Sequence, residues 1–173
     1  MKQDISIENE KSKFKYRVSG ILLKNDKILT VKINDNKFYC LPGGHVELME
    51  NTKDAVVREF KEETGIGTYV EKLLYVTENF FTNKKECHEV GFYYLLNTKN
   101  EINQEDYSLI ENDNGEKVRL EFKWLDVKKL ENFKPEFLKN RLNFENLNLE
   151  HLIIKNDKII QKMTKKLKNL QNF

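Results

Sequence analysis

Residues 41–66, LPGGHVELMENTKDAVVREFKEETGI, constrain the fold more than any other stretch. The stretch opens on a turn: Pro42 fixes one backbone angle, and Gly43 and Gly44 permit angles that other residues resist. A helix follows over residues 53–64, and Gly65 supplies the stop. Glu59, Glu62 and Glu63 are three and four positions apart, so they share one helix face. Val56 and Phe60, with Val57 at the edge, form the neighbouring apolar face. Carboxylates crowded in this way repel one another. The arrangement makes sense if a positive group, such as a divalent metal, sits over them. Ala55 falls on the same face, where a small side chain is expected to leave room for metal and phosphate.

These residues resemble the signature box of the Nudix hydrolases. The family pattern is a glycine, five residues, Glu, seven residues, Arg-Glu, an apolar residue, one residue, Glu-Glu, one residue, Gly and an apolar residue. Gly44, Glu50, Arg58, Glu59, Phe60, Glu62, Glu63, Gly65 and Ile66 fill every specified place. The resemblance implies an α/β fold: an α/β/α sandwich with a mixed sheet, in which the box forms a loop, a helix and a loop. It implies Glu59 and Glu63 as principal metal ligands, Glu62 as ligand or close partner, and the Gly44 carbonyl as a further ligand. Arg58 resembles the family's structural arginine, which pairs with box glutamates and orients them. Glu50 resembles the glutamate that stabilises the box, bonded to loop amides or to Arg58. The metal implied is Mg²⁺ or Mn²⁺, which suits oxygen ligands held on a rigid helix. The general base is either a box glutamate or a later one, from Glu111, Glu116 and Glu121. Glu121 stands three residues before Trp124, resembling the family's recurrent Glu-x-x-Trp, although alternation turns it away from the apolar face of its strand.

Outside the box, the pattern of residues predicts strands at 14–23 and 27–33, joined by a Lys24-Asn25-Asp26 turn into a hairpin, then a short strand at 38–41. Further strands are predicted at 69–81, 86–97 and 118–125, the last with Val118, Leu120, Phe122 and Trp124 on one face. Residues 98–117 read as polar and acidic, with a tight turn at Asn114-Gly115. Short helices are expected after Asp126 and at Pro135, and a closing strand at 151–154. Ile160, Met163, Leu167 and Leu170 have helical spacing, so 156–173 reads as a basic C-terminal helix after an Asn156-Asp157 turn. Residues 1–13 read as a flexible arm or a short edge strand. With 173 residues, the whole chain is expected to form one domain.

Composition narrows the function. The 30 Lys and Arg nearly balance the 28 Asp and Glu, and a net charge of +2 gives no bulk argument for nucleic acid. The lysine-rich tail (Lys155, Lys158, Lys162, Lys165, Lys166 and Lys168) reads as a solvated helix face docked on its own domain or on a second subunit, so a homodimer is open. There is no continuous apolar N-terminal region and no stretch long enough for a membrane span, and the two cysteines, Cys40 and Cys87, read as buried thiols; a cytoplasmic location is expected. Arg17 and Lys32 on the first hairpin, His45 after the glycine turn, and Phe38 among several aromatics are candidates for substrate contact. Through the resemblance, the expected activity is hydrolysis of a diphosphate linkage in a nucleoside diphosphate joined to a group X. Nucleoside triphosphates, giving monophosphate and pyrophosphate, are slightly favoured, because residues 80–84 (FFTNK) lack the proline or tyrosine marker of some subfamilies. The alternatives are an ADP-ribose or nucleotide-sugar pyrophosphatase and, from another class, a non-catalytic nucleotide sensor on the same fold.

Overall fold

The computed structural model describes residues 3–103, 105–113, 116–142 and 148–165. Nine strands and one α-helix follow in the order β1 (Ser6–Glu8), β2 (Ser12–Lys24), β3 (Lys27–Ile33), α1 (Thr52–Thr64), β4 (Tyr69–Asn83), β5 (Lys85–Asn97), β6 (Tyr107–Asp113), β7 (Glu116–Asp126), β8 (Leu149–Lys155) and β9 (Lys158–Lys165). They pair as β6-β7-β3-β2-β5-β4-β8-β9, with β1 added to β2. The β2–β5 and β4–β8 pairs are parallel and the rest antiparallel, so the sheet is mixed.

Strand alternation sorts side chains into two cores. On one face Val18, Leu22, Leu29, Val31, Phe122 and Trp124 pack against Ala55, Val56 and Phe60 of α1. On the other face Ile21, Ile28, Tyr75 and Tyr93 are covered by residues 127–142, which bury Val127, Leu130, Phe133, Phe137, Leu138 and Leu142. Burying each such side chain contributes about 1.5–3 kcal/mol. This is the α/β arrangement expected. The second covering layer is condensed, however: the helix expected after Asp126 is a turn, and the one at Pro135 is a single 3-10 turn, Glu136–Leu138. Apolar spacing sufficed to bury these residues without a regular helix.

Helix α1 begins where its chemistry says it should. The Asn51 side chain accepts from the Lys53 and Asp54 amides, and Gly65 closes the helix in the left-handed conformation at φ 74°. Ala55 is fully buried in the apolar core, so it makes no room on the acidic face.

The feature that positions the site is a split in the sheet. β2 and β3 pair only beside their turn, at Leu23–Ile28 and Lys24–Lys27, and then diverge. Residues 40–46 fill the gap. Cys40 exchanges backbone bonds with Val31, Pro42 accepts from Gly20, Gly44 accepts from Val18, and Val46 donates to Tyr16. The close approach demands glycine at 43, where φ is 148° and a Cβ would lie 2.2 Å from the Val18 carbonyl oxygen.

Of the two expectations for the N-terminal residues, the strand holds: Ser6–Glu8 pairs with β2, with Ile5 donating to the Val46 carbonyl and Leu48 to that of Gln3. Two further expectations change. Within the polar stretch 98–117 lies a strand, β6, paired to β7; the expected turn at 114–115 lies outside the described residues. Residues 158–165 are strand β9, not helix. Asn156 and Asp157 both have positive φ, the geometry of a two-residue hairpin turn, which sends the chain back along β8. Residues 166–173 lie outside the described residues. No helix among the described residues is long and apolar enough to cross a membrane.

Candidate functional site

Helix α1 lies across the split, and its acidic face meets the wedged glycine loop. The Gly43 amide donates to Glu63 Oε2 at 2.8 Å. The Glu59 carboxylate rests against Gly44 so closely that a Cβ there would be 2.1 Å from Oε2. Two carboxylates one turn apart are therefore held against adjacent loop residues.

Arg58 is the hub of the cluster. Its Nε and Nη2 donate to the two Glu50 oxygens at 2.8 and 2.7 Å. Its Nη1 donates to Glu59 Oε1 at 2.7 Å and Glu62 Oε2 at 3.0 Å. Nη2 also reaches the His45 carbonyl at 3.2 Å, and Glu47 lies 3.7 Å from Nη1. The hydrogen bond to Glu50, then those to Glu59 and Glu62, hold the guanidinium charge firmly in place. Burial pushes the Glu59 carboxyl above its usual range, even though Arg58 hydrogen-bonds it.

The fit to a hard cation rests on the donor set. Glu59, Glu62, Glu63 and the glycine-loop carbonyls are all oxygen donors. The missing side chain of Gly44 lets the Glu59 carboxylate lie directly against the loop backbone. Among the described residues no three His, Cys, Asp or Glu side chains converge into a ready cage. Arg58 draws Glu59 and Glu62 to itself, and the Gly43 amide takes Glu63.

Of the residues expected to touch substrate, two reach the loop. Arg17 on β2 donates through Nη2 to the Gly43 carbonyl at 3.1 Å, while its Nε is buried without a hydrogen-bond partner. His45 pairs with Arg17 in an isolated bridge, and its Nδ1 is 3.6 Å from Asp4. Burial, reinforced by the Arg17 charge, holds the His45 pKa below its usual value, favouring neutral imidazole. Phe38 stands exposed in the approach to the loop.

Glu121 and Lys32 are brought to each other, not to the box. They are cross-strand partners on β7 and β3, with Lys32 Nζ 2.9 Å from Glu121 Oε2. The Tyr39 hydroxyl donates to Glu121 Oε1 at 2.5 Å. The Tyr39 bond and the Lys32 contact hold Glu121 below the usual carboxylate range. Alternation explains the placement: Leu120, Phe122 and Trp124 face α1, so Glu121 faces the opposite side. The Glu111 and Glu116 side chains lie outside the described residues.

One residue near the loop escaped the sequence reading. Glu89 on β5 is buried, and its Oε2 is 3.8 Å from Arg17 Nη1. It alternates with Val90, Phe92 and Tyr94, and of these Phe92 and Tyr94 pack on the α1 side of the sheet. The signal that could have found it was Tyr93, which shares its side of the strand. The residue preceding Glu89 on β5, His88, stacks on Phe80 at 4.3 Å and meets Phe14 edge-on at 5.3 Å, beside a cavity of about 730 Å³.

The family model for the NUDIX domain matches residues 13–145. The ADP-ribose pyrophosphatase of Methanocaldococcus jannaschii is 50% identical over 60 residues, which are 33% of this chain and 36% of that protein. A probable DHNTP pyrophosphohydrolase of Lactococcus lactis is 34% identical over 99 residues, 54% of this chain and 57% of that protein. The chain thus spans between about a third and just over half the length of these relatives. Among solved structures, the MutT protein from Bacillus halodurans superposes with a TM-score of 0.53 at 16% identity, covering 87% of this chain and 97% of that one. At that identity the likeness is one of fold.

Proposed function

The chain belongs to the NUDIX domain family, and from that premise we propose that it is a divalent-metal-dependent hydrolase of diphosphate linkages in nucleotides. The substrate class is a nucleoside diphosphate linked to a group X, with nucleoside triphosphates, cut to monophosphate and pyrophosphate, slightly favoured. The observation that carries the reading is the seating of Glu59 and Glu63 against Gly44 and Gly43, with Arg58 bracing the helix face from behind.

Glu59 and Glu63, with Glu62 and the Gly44 carbonyl, would hold Mg²⁺ or Mn²⁺, which supplies charge neutralisation to the diphosphate and acidifies the attacking water. The protein's own residues do the rest. Arg58 fixes the rotamers of Glu59 and Glu62 and ties them through Glu50 to the chain before the helix. Arg17 brings a guanidinium to the Gly43 carbonyl, where it offers positive charge to a substrate phosphate. The proton from the attacking water is assigned to the box carboxylates, of which Glu62 is 53% exposed against 16% for Glu59. Lys32 and Glu121 are joined to each other and to Tyr39, so neither is assigned to the chemical step. A cytoplasmic location fits two free cysteines and a nucleotide substrate.

ADP-ribose or a nucleotide sugar is the second reading, favoured by the name of the 50% identical relative. The test is a substrate panel of nucleoside triphosphates, ADP-ribose and nucleotide sugars, with Mg²⁺, with Mn²⁺ and with chelator, resolving phosphate, pyrophosphate and monophosphate. Cation-dependent release of monophosphate supports the proposal. A protein that binds nucleotide and cation yet cleaves no phosphoanhydride is instead a sensor.

A further inference from the structure

Glu89 lies on the sheet face opposite α1, in a row with Lys15 on β2 and Asn79 on β4. The next row holds Arg17, Gly91 and Thr77, and beyond it Tyr93 and Tyr75 enter the covered core. One row, that of Arg17, thus separates Glu89 from that core, and Arg17 connects Glu89 to the Gly43 carbonyl of the box loop.

The carboxylate is incompletely used. A strong arginine–carboxylate pair closes to about 2.7–2.9 Å. Here the separation is 3.8 Å, and the shorter bond of Arg17 goes to Gly43. Lys15, directly across the strand pair, leans instead towards the Phe81 ring, with Nζ 5.8 Å from its centroid. The neighbouring Asn79 Oδ1 is buried with no partner at all. The unpartnered Asn79 Oδ1 therefore sits beside a carboxylate that is only loosely paired, and a buried acceptor left unmet is costly. The side chain of Glu89 keeps 12% of its surface open.

We propose that Glu89 is a specificity residue that reads the base: its carboxylate accepts paired N–H donors from a 2-amino-4-oxopyrimidine edge, as presented by guanine or a pterin. Such an edge offers one ring N–H and one amino N–H in parallel, matched to the two carboxylate oxygens. Adenine offers a ring lone pair at the corresponding place, which faces the carboxylate unfavourably. A cation is a poor alternative occupant, because Arg17 already stands beside Glu89. This inference rests on the proposed nucleotide hydrolysis and narrows its substrate class.

The experiment measures binding of GMP, IMP, AMP and neopterin to the full chain by titration calorimetry, for the wild type and Glu89→Gln, with GTP and ATP turnover in parallel. GMP is expected to bind at least about tenfold more tightly than AMP, with IMP between them because it lacks the amino group. In Glu89→Gln the GMP-to-AMP ratio is expected to collapse towards one. Neopterin distinguishes the two sources: affinity for it that depends on Glu89 assigns the edge to pterins as well as guanine, and its failure restricts the edge to guanine. Equal binding of GMP and AMP by the wild type overturns the inference, as does an unchanged ratio in the variant. So does an equal loss for every ligand, which would make Glu89 a brace for Arg17. A preference for GMP without any turnover would sink the hydrolase proposal alone, and turnover without base preference would sink this inference alone.

Discussion

Gly44 is the residue whose substitution separates packing from chemistry. It is not held in the left-handed region, so alanine there strains no backbone. The added Cβ would nevertheless sit 2.1 Å from Glu59 Oε2, and the carboxylate must move. Gly44→Ala is expected to leave the circular dichroism spectrum unchanged and to lower turnover at least tenfold, on the order of what a displaced metal ligand costs. Arg58 makes the opposite case. Glu50 and Glu59 are each 16% exposed, and removing their cation leaves carboxylates stranded. Arg58→Ala is expected to cost about 3 kcal/mol in urea unfolding. Lysine should not rescue it, because one ammonium cannot serve Glu50, Glu59, Glu62 and the His45 carbonyl at once.

Elements with local signals were legible, and those fixed by partners were not. Helix α1 could be read because Asn51, the apolar positions and Gly65 all say the same thing. Phe60 anchors it: a Cβ on Gly20 would lie 2.5 Å from the Phe60 ring, so the two residues are fitted to each other. Phe60→Ala is expected to destabilise the fold by about 3–5 kcal/mol, measured by denaturant midpoint. Strand β6 was hidden because its sequence, YSLIEND, is polar and gains its structure from pairing to β7. Strand β9 was misread because Ile160 and Met163, three positions apart, satisfy helical and not strand spacing, and in β9 both stand exposed. The decision lay in two residues, Asn156 and Asp157, whose positive φ values make a hairpin. Their turn character was visible, but its consequence for the next eight residues was not.

At the scale of the molecule, the box encodes the helix and its carboxylates, but the residues around them are brought together by topology. Arg17 is 26 residues before Gly43 and arrives there because the loop fills the β2–β3 split. Glu89 arrives through the parallel pairing of β2 with β5, which no local pattern encodes. The Glu121–Lys32–Tyr39 cluster joins β3, β7 and the loop before the box, and it yields a pH signature. The Tyr39 hydroxyl, and then Lys32, depress the folded pKa of Glu121. A depressed carboxyl contributes stability that is present above its unfolded value and is lost as pH falls through the folded one. The gap in urea midpoint between wild type and Glu121→Gln should therefore be present at neutral pH and close on acidification below the usual carboxylate range. A gap that does not change with pH would remove this cluster from the account.

We propose Glu59 and Glu63 as the carboxylates that hold the cation for diphosphate hydrolysis. The most direct test is the turnover rate of the best substrate for wild type, Glu59→Gln and Glu63→Gln at saturating Mg²⁺, alongside Mg²⁺ affinity by calorimetry. Both variants are predicted to fall at least about a hundredfold in turnover and to bind the cation more weakly, through loss of the charge that holds it. Wild-type rates in both variants, with cation binding intact, would contradict the assignment.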